Sequence, residues 1–240
     1  MNCLRVLWCK ALCDPEWTYD LMPTVGRWIF LRLIPRRLYP RLHHANIEMR
    51  TVFLDRAIAN ATASLPPETN VRIISLGAGY DVRCCRILSC QDSSSRKVEA
   101  WELDLPKVVA AKQKLLERLV KRRRKRNETT ILPELRGVDL NDVDGTVRPL
   151  LQAMEKSPER WHTILVAEGV LIFFRSGVSE QLLRLVRDTS SPATFCFTDQ
   201  IVSGGRRPDA ETFFEKCGWK LEEWCVKPGK AKHMGVARTM

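Results

Sequence analysis

Long apolar runs are missing from this sequence. The longest near its start, Trp28-Ile29-Phe30-Leu31, is cut off by Arg32 and then Pro35, far short of the ~20 residues a spanning helix needs. No transmembrane segment is expected, and the Arg- and Trp-bearing stretch to Leu42 reads as part of a helical covering rather than a membrane anchor or transit peptide. Paired cysteine motifs are missing too. The nine cysteines are odd in number, none is spaced C-x-x-C, and no secretory signal precedes them, so neither a disulfide framework nor a zinc knuckle is indicated. A reducing, cytoplasmic setting fits, with organellar targeting left open. Histidine is scarce: His43, His44, His162 and His233 show neither the i,i+4 spacing nor the His/Cys clustering of metal ligands. No metal is expected. The basic run Lys121 to Arg126 contains no aromatic residue, which speaks against single-stranded nucleic-acid recognition.

What is present is enough for a full core. The chain has 240 residues, 45% of them hydrophobic, a size that suits one domain or one domain with an appendage. Its formal charge of +11 is concentrated in Arg27 to Arg41 and Lys121 to Arg126, and such runs are most often solvated surface. No internal repeat or other low-complexity segment stands out.

From residue 71 short apolar runs alternate with amphipathic stretches, the pattern of strands and helices around a parallel sheet. Strands are expected at Val71 to Leu76, at Val98 to Leu103, ending at Val138-Asp139-Leu140, at Thr163 to Ala167 and at Ala193 to Val202. Helices are expected from Pro106, around Val147 to Met154, near Val178 to Val186 and from Pro208 to Lys216. Two closing strands, Lys220 to Val226 and Met234 to Thr239, join across Pro228-Gly229. So short a connection requires an antiparallel ending, since a parallel return needs a crossover of a dozen or more residues. Before Val71, Leu65-Pro66-Pro67-Glu68 makes a break, and the preceding stretch has helical periodicity only. The expected plan is a helical cap over 1–65 followed by a Rossmann-like domain over 66–240.

Gly77-Ala78-Gly79 follows a buried strand and precedes a helical pattern, the setting in which a glycine-rich turn reads as a nucleotide-type binding loop. Where a dinucleotide-binding loop has its third glycine this chain has Val82, and Asp81 inside the turn would repel a pyrophosphate. Carboxylates close the following strands: Glu102 and Asp104, Asp139, and Glu168. In an open parallel sheet ligands bind outside these carboxyl ends. Four carboxylates there suit a cationic ligand with a diol and an exocyclic amine, which describes S-adenosylmethionine better than a dinucleotide. Some of them, Asp139 above all, also suit plain helix capping.

Arg50-Thr51-Val52-Phe53-Leu54-Asp55, Leu76-Gly77-Ala78-Gly79-Tyr80-Asp81-Val82-Arg83, Glu102-Leu103-Asp104-Leu105-Pro106, Val138-Asp139-Leu140 and Glu168-Gly169-Val170-Leu171, in this order, resemble the leucine carboxyl methyltransferase family. The resemblance implies a class I methyltransferase fold, with a mostly parallel seven-stranded sheet whose final strand is antiparallel. It also implies S-adenosylmethionine as cofactor and a set of contacts to it. Arg50 would grip the carboxylate of the donor's methionine part with its planar fork, and Gly77 would admit that part close to the backbone. Gly79 and Asp81 complete the loop. Asp104 would accept from the ribose hydroxyls, Asp139 and the Leu140 backbone would read the adenine edge, and Glu168 would lie near the ammonium group.

The implied reaction is O-methylation of a carboxylate, or of a hydroxyl, on a small molecule or a protein C-terminus. A carboxylate is ionised at pH 7 and needs no general base, so alignment and exclusion of water would carry the catalysis, worth up to about 7 to 11 kcal/mol. No catalytic residue is named on these grounds. Ile172-Phe173-Phe174 stands where members acting on a protein C-terminal leucine have a tyrosine, and no N-terminal lysine is plainly matched. The phosphatase-subunit substrate of such members is therefore not implied. An RNA-directed methyltransferase using the basic run and a nonenzymatic Rossmann-like adaptor stay open as alternatives. A nicotinamide-dependent oxidoreductase lacks its third glycine and its proton relay. A monomer is expected.

Overall fold

The computed structural model describes residues 10, 15–22, 41–91, 96–155, 161–190, 192–226 and 233–240. Seven strands form one sheet: β1 (Asn70–Leu76), β2 (Val98–Asp104), β3 (Glu134–Gly137), β4 (Trp161–Glu168), β5 (Ala193–Asp199), β6 (Trp219–Val226) and β7 (His233–Thr239). Their spatial order is β3-β2-β1-β4-β5-β7-β6. Strands β1 to β5 pair in parallel, while β7 runs antiparallel between β5 and β6. This is the expected architecture, antiparallel ending included. The turn expected at Pro228-Gly229 lies outside the described residues. Strand β3 ends at Gly137, a little before its expected end at 138–140, although the Val138 N–H still reaches the Asp104 carbonyl at 2.8 Å.

The central strands are continuous apolar runs because both sheet faces are covered; β1 is buried from Val71 through Leu76. One face is covered by α1 (Pro15–Leu21), α2 (Arg41–Ala63), α3 (Arg83–Ser89) and α4 (Pro106–Arg124) in two clusters, and the other carries α5 (Arg148–Met154), α6 (Val178–Ser190) and α7 (Arg207–Lys216). Helices α1 and α2 precede the first strand. Helix α2 presents Phe53, Leu54, Ala57, Ile58 and Ala61 to Ile73, Ile164, Val166 and Cys196 of the sheet. Helix α1 packs Trp17, Leu21 and Met22 against Leu116 and Leu119 of α4. The break between α2 and β1 is a turn closed by Thr69 N–H on the Pro66 carbonyl, 3.0 Å.

Helix α4 opens on Pro106, whose missing N–H costs nothing in the first turn. Its inward stripe, Lys112, Leu116, Leu119 and Arg123, is spaced 4, 3 and 4 residues apart, as one helix face requires. Two aliphatic residues form the middle of that stripe. A buried cation forms each end.

Candidate functional site

The strand order reverses between β1 and β4, so the loops leaving their carboxyl ends diverge and meet at this point. Gly77, at φ +58°, is forced by that meeting: a Cβ there would come within 2.4 Å of Val170 Cγ2. The loop from β1 is then tied to β2, because Gly79 N–H donates to Asp104 Oδ2 at 2.7 Å. Asp104 Oδ1 meanwhile accepts from the Leu105 N–H at 2.7 Å. From below, Lys112 of α4 donates to the Asp81 carbonyl at 2.5 Å while its Nζ lies 2.5 Å from Glu102 Oε2. Burial alone would lower the Lys112 ammonium, but Glu102 outweighs it and the net shift is upward. Glu102 is thus committed inside the fold, 2% exposed, and does not face the loop's outer side as a ligand would require.

Above the loop lies a network of ions. Arg83 is buried and reaches three carboxylates: Asp55 at 2.6 Å, Asp81 at 2.7 Å and Glu168 at 3.2 Å. Arg86 also pairs with Asp55, at 2.5 Å. Lys10 Nζ stands 2.9 Å from both Asp81 Oδ2 and Glu168 Oε2, and Arg50 Nη2 is 3.2 Å from Glu168 Oε1. Burial would raise the Asp81 carboxyl, but Arg83, Lys10 and Lys112 overcome it and hold the group well below the usual carboxylate range. For Glu168 burial acts in the same upward sense; Lys10, Arg83 and Arg50 outweigh it and the repulsion of Asp81, so the net shift is again downward. Arg83 is pulled down by burial and pushed further up by Asp81, Glu168 and Asp55. Each of these charges is tolerable in the interior only because the others are there.

Arg50 approaches Glu168 along Gly169, where a Cβ would meet Nη2 at 2.7 Å on a backbone of φ +68°. The glycine of the Glu168-Gly169 pair therefore clears the path of the arginine. Arg50 Nε is buried with no hydrogen-bond partner, an orphaned donor that costs about 1 to 3 kcal/mol unless something accepts from it. Beside Gly79 the space is open, a Cβ there meeting nothing nearer than Gly77 O at 4.0 Å. Asp139 lies exposed just past β3, accepting from the Asn141 N–H at 2.9 Å. The Leu140 side chain belongs to the main core.

The predicted residues thus gather at one edge: Gly79 bonds Asp104, Arg50 pairs with Glu168, Lys10 and Arg83 join Glu168 to Asp81, Gly77 opens the loop, and Asp139 and Leu140 follow β3 at the same edge. Sequence reasoning missed the role of three others. Arg83 and Asp55 lay inside the quoted motifs, and an acidic residue 28 positions before an arginine gives no local sign of pairing. Lys10 lay in no motif at all.

This geometry fits a zwitterionic methionine moiety and a ribose. Arg50 carries a buried unpaired donor for a carboxylate, Glu168 lies among cations at the switch point, and Asp104 stands beside an open approach at Gly79. The family model for leucine carboxyl methyltransferase matches residues 10–187, the segment that begins at Lys10 and contains every residue of the network. The fold resembles magnesium protoporphyrin IX methyltransferase (ChlM) from Synechocystis PCC 6803, solved with bound SAM, with a TM-score of 0.53 and 11% identity over 95% of this chain and 97% of that one. It also resembles the CurJ carbon methyltransferase, with a TM-score of 0.52 and 15% identity over 98% of this chain and 70% of that one. At such identities the resemblance concerns the fold. No curated protein matches the sequence.

Proposed function

We propose that this chain, which belongs to the leucine carboxyl methyltransferase family and uses S-adenosylmethionine as its methyl donor, delivers the methyl group to a carboxylate oxygen. The observation that carries this reading is the state of the acidic groups at the site. Asp81 is held below the usual carboxylate range by Arg83, Lys10 and Lys112, and Glu168 by Lys10, Arg83 and Arg50, so neither has a useful affinity for an acceptor's proton. Carboxylates so disarmed as bases suit a nucleophile that is already ionised. The bound donor supplies an electrophilic methyl on a sulfonium. Transfer of that methyl to an ionised oxygen would leave the C–S electron pair on sulfur and would ask no base of the chain.

The chain's own residues bind and orient. Arg50 offers its unpaired Nε and planar fork to the donor's carboxylate. Asp104 holds the Gly79 amide and keeps a free lone pair on each oxygen for the ribose. Glu168 faces the ammonium group, and Asp139 with the Leu140 backbone serves the adenine. The acceptor is a small molecule or a protein C-terminus. The RNA alternative loses ground because Arg122, Arg123 and Arg126 of the basic run are engaged within the molecule.

A hydroxyl acceptor is the second reading, and His233 favours it. This residue opens β7 opposite Asp199, the last residue of β5, and both its ring nitrogens are buried without partners. Burial, opposed by Asp199, shifts its imidazole toward the neutral form, the form with a free acceptor nitrogen. The test is to incubate the protein with methyl-labelled S-adenosylmethionine and fractionated cell extract, then treat the product with alkali. Carboxyl methyl esters release the label as volatile methanol; label that stays bound to the product argues for the hydroxyl reading and against ours.

A further inference from the structure

The basic run on α4 is used inside the molecule. Arg123 is buried at 5% exposure, with its guanidinium 3.6 Å from the centroid of the Trp17 ring and 3.5 Å from Glu16. Arg122 donates to the carbonyls of Asp20 and Met22 at 2.5 and 2.7 Å, the free acceptors that end α1. Arg126 pairs with the Asp20 carboxylate. Helix α1 has only seven residues and is too short to persist unaided in water; these arginines, the Trp17 contact and the packing of Leu21 and Met22 on Leu116 and Leu119 hold it against α4. Lys10 lies five positions before Pro15, the first residue of α1, and its ammonium is buried between Asp81 and Glu168.

We infer that Arg122, Arg123 and Arg126 are positioning residues for the donor site: by docking α1 they set Lys10 between Asp81 and Glu168, and donor affinity depends on that dock. Two carboxylates within 2.9 Å of one nitrogen repel each other strongly in a buried setting when the cation leaves. Without Lys10, Arg83 alone bridges Asp81 Oδ2 and Glu168 Oε2, and their mutual repulsion is less fully offset. The inward stripe of α4 couples the two sides physically, since Lys112 at one end supports the Asp81 carbonyl and Arg123 at the other clamps α1. This concerns the donor half of the site and holds whichever acceptor is methylated.

The test measures binding of S-adenosylhomocysteine by calorimetry to the wild-type chain, to Arg123→Gln/Arg126→Gln, to Lys10→Met and to the triple variant. Amide hydrogen exchange of residues 15–22 is followed in parallel. The double variant should exchange faster over 15–22 and bind about ten-fold more weakly. Lys10→Met should lose a similar factor without loosening α1, and the triple variant should bind no more weakly than Lys10→Met. A ligand affinity untouched by the double variant overturns the proposal. So do losses that multiply in the triple variant, and so does tighter binding after Lys10→Met. If the double variant does not fold, Asp20→Asn, which removes the charge from the α1 side alone, takes its place with the same expected outcomes.

Discussion

Helices α1 and α2, ahead of the first strand, each serve a cation on the same carboxylate by different means. Helix α2 carries Arg50 and is fixed by apolar packing of Leu54, Ala57, Ile58 and Ala61 on the sheet. Helix α1 follows Lys10 and is fixed by a smaller apolar contact, Trp17, Leu21 and Met22 on Leu116 and Leu119, together with arginines of α4 acting on its acidic groups, its carbonyls and its tryptophan. The difference teaches that one site can be assembled from parts of unequal robustness. Apolar burial is insensitive to salt and acid, whereas docking through charges can be weakened by screening and by single substitutions.

Truncating the apolar anchor should have the largest effect. Leu54 is fully buried under α2, and Leu54→Ala should cost about 2 to 5 kcal/mol in denaturant unfolding, the removed methylenes and the cavity adding together. A loss below about 1 kcal/mol would mean that α2 is not bound as described.

Acid should load the same face. His162 lies on β4 two and four residues before Ile164 and Val166, hence on the α2 side, and its Nε2 is 2.8 Å from Thr194 Oγ1. Burial, aided by Arg238, lowers its pKa from 6.5 to about 4. The unfolded chain therefore binds a proton that the folded chain refuses. The stability present above pH 6.5 is lost as the pH falls toward about 4, by roughly 2 to 3 kcal/mol. His162→Asn, which does not titrate, should flatten the pH dependence of the unfolding midpoint in this window; an unchanged slope would assign it to other groups.

The next effect concerns binding rather than folding. Arg50→Lys keeps a cation near Glu168 but removes the buried Nε donor, and should weaken S-adenosylmethionine by about ten-fold. A decarboxylated analogue should lose much less. Equal losses for both ligands would remove Arg50 from the role of carboxylate clamp.

The smallest effect on stability belongs to the α1 dock. Arg126 is 44% exposed in its side chain, so Arg126→Gln should change global stability by less than about 1 kcal/mol. Exchange of the α1 amides should nevertheless rise, and added salt should bring the wild-type chain toward the variant. A large global loss would place α1 in the cooperative core beside α2.

The glycine loop, the acidic strand ends and the antiparallel closing strands were legible because each is written locally. A buried strand followed by Gly77-Ala78-Gly79, or two strands too close for a crossover, leaves few alternatives. The pairing of Asp55 with Arg83 was hidden, although both residues stood in quoted motifs, because a charge carries no sign of its distant partner. The reading of the basic run as solvated surface holds for Lys121, Arg124, Lys125 and Arg126 but missed the buried Arg123, for a related reason. Its helical stripe was visible, but its buried face holds Arg123 stacked on Trp17, more than a hundred residues away in sequence.

The sequence by itself determined the order of strands and helices, the fold class and the donor. These follow from periodicity, turn chemistry and short motifs, all properties of neighbouring residues. Only the tertiary structure decided which of the carboxylates at that edge are shared with Lys10, Arg50 and Arg83 and which, like Glu102, are committed inside the fold. The physical reason is that a buried charge is settled by whatever lies within a few ångströms of it in space, and chain order does not specify those neighbours.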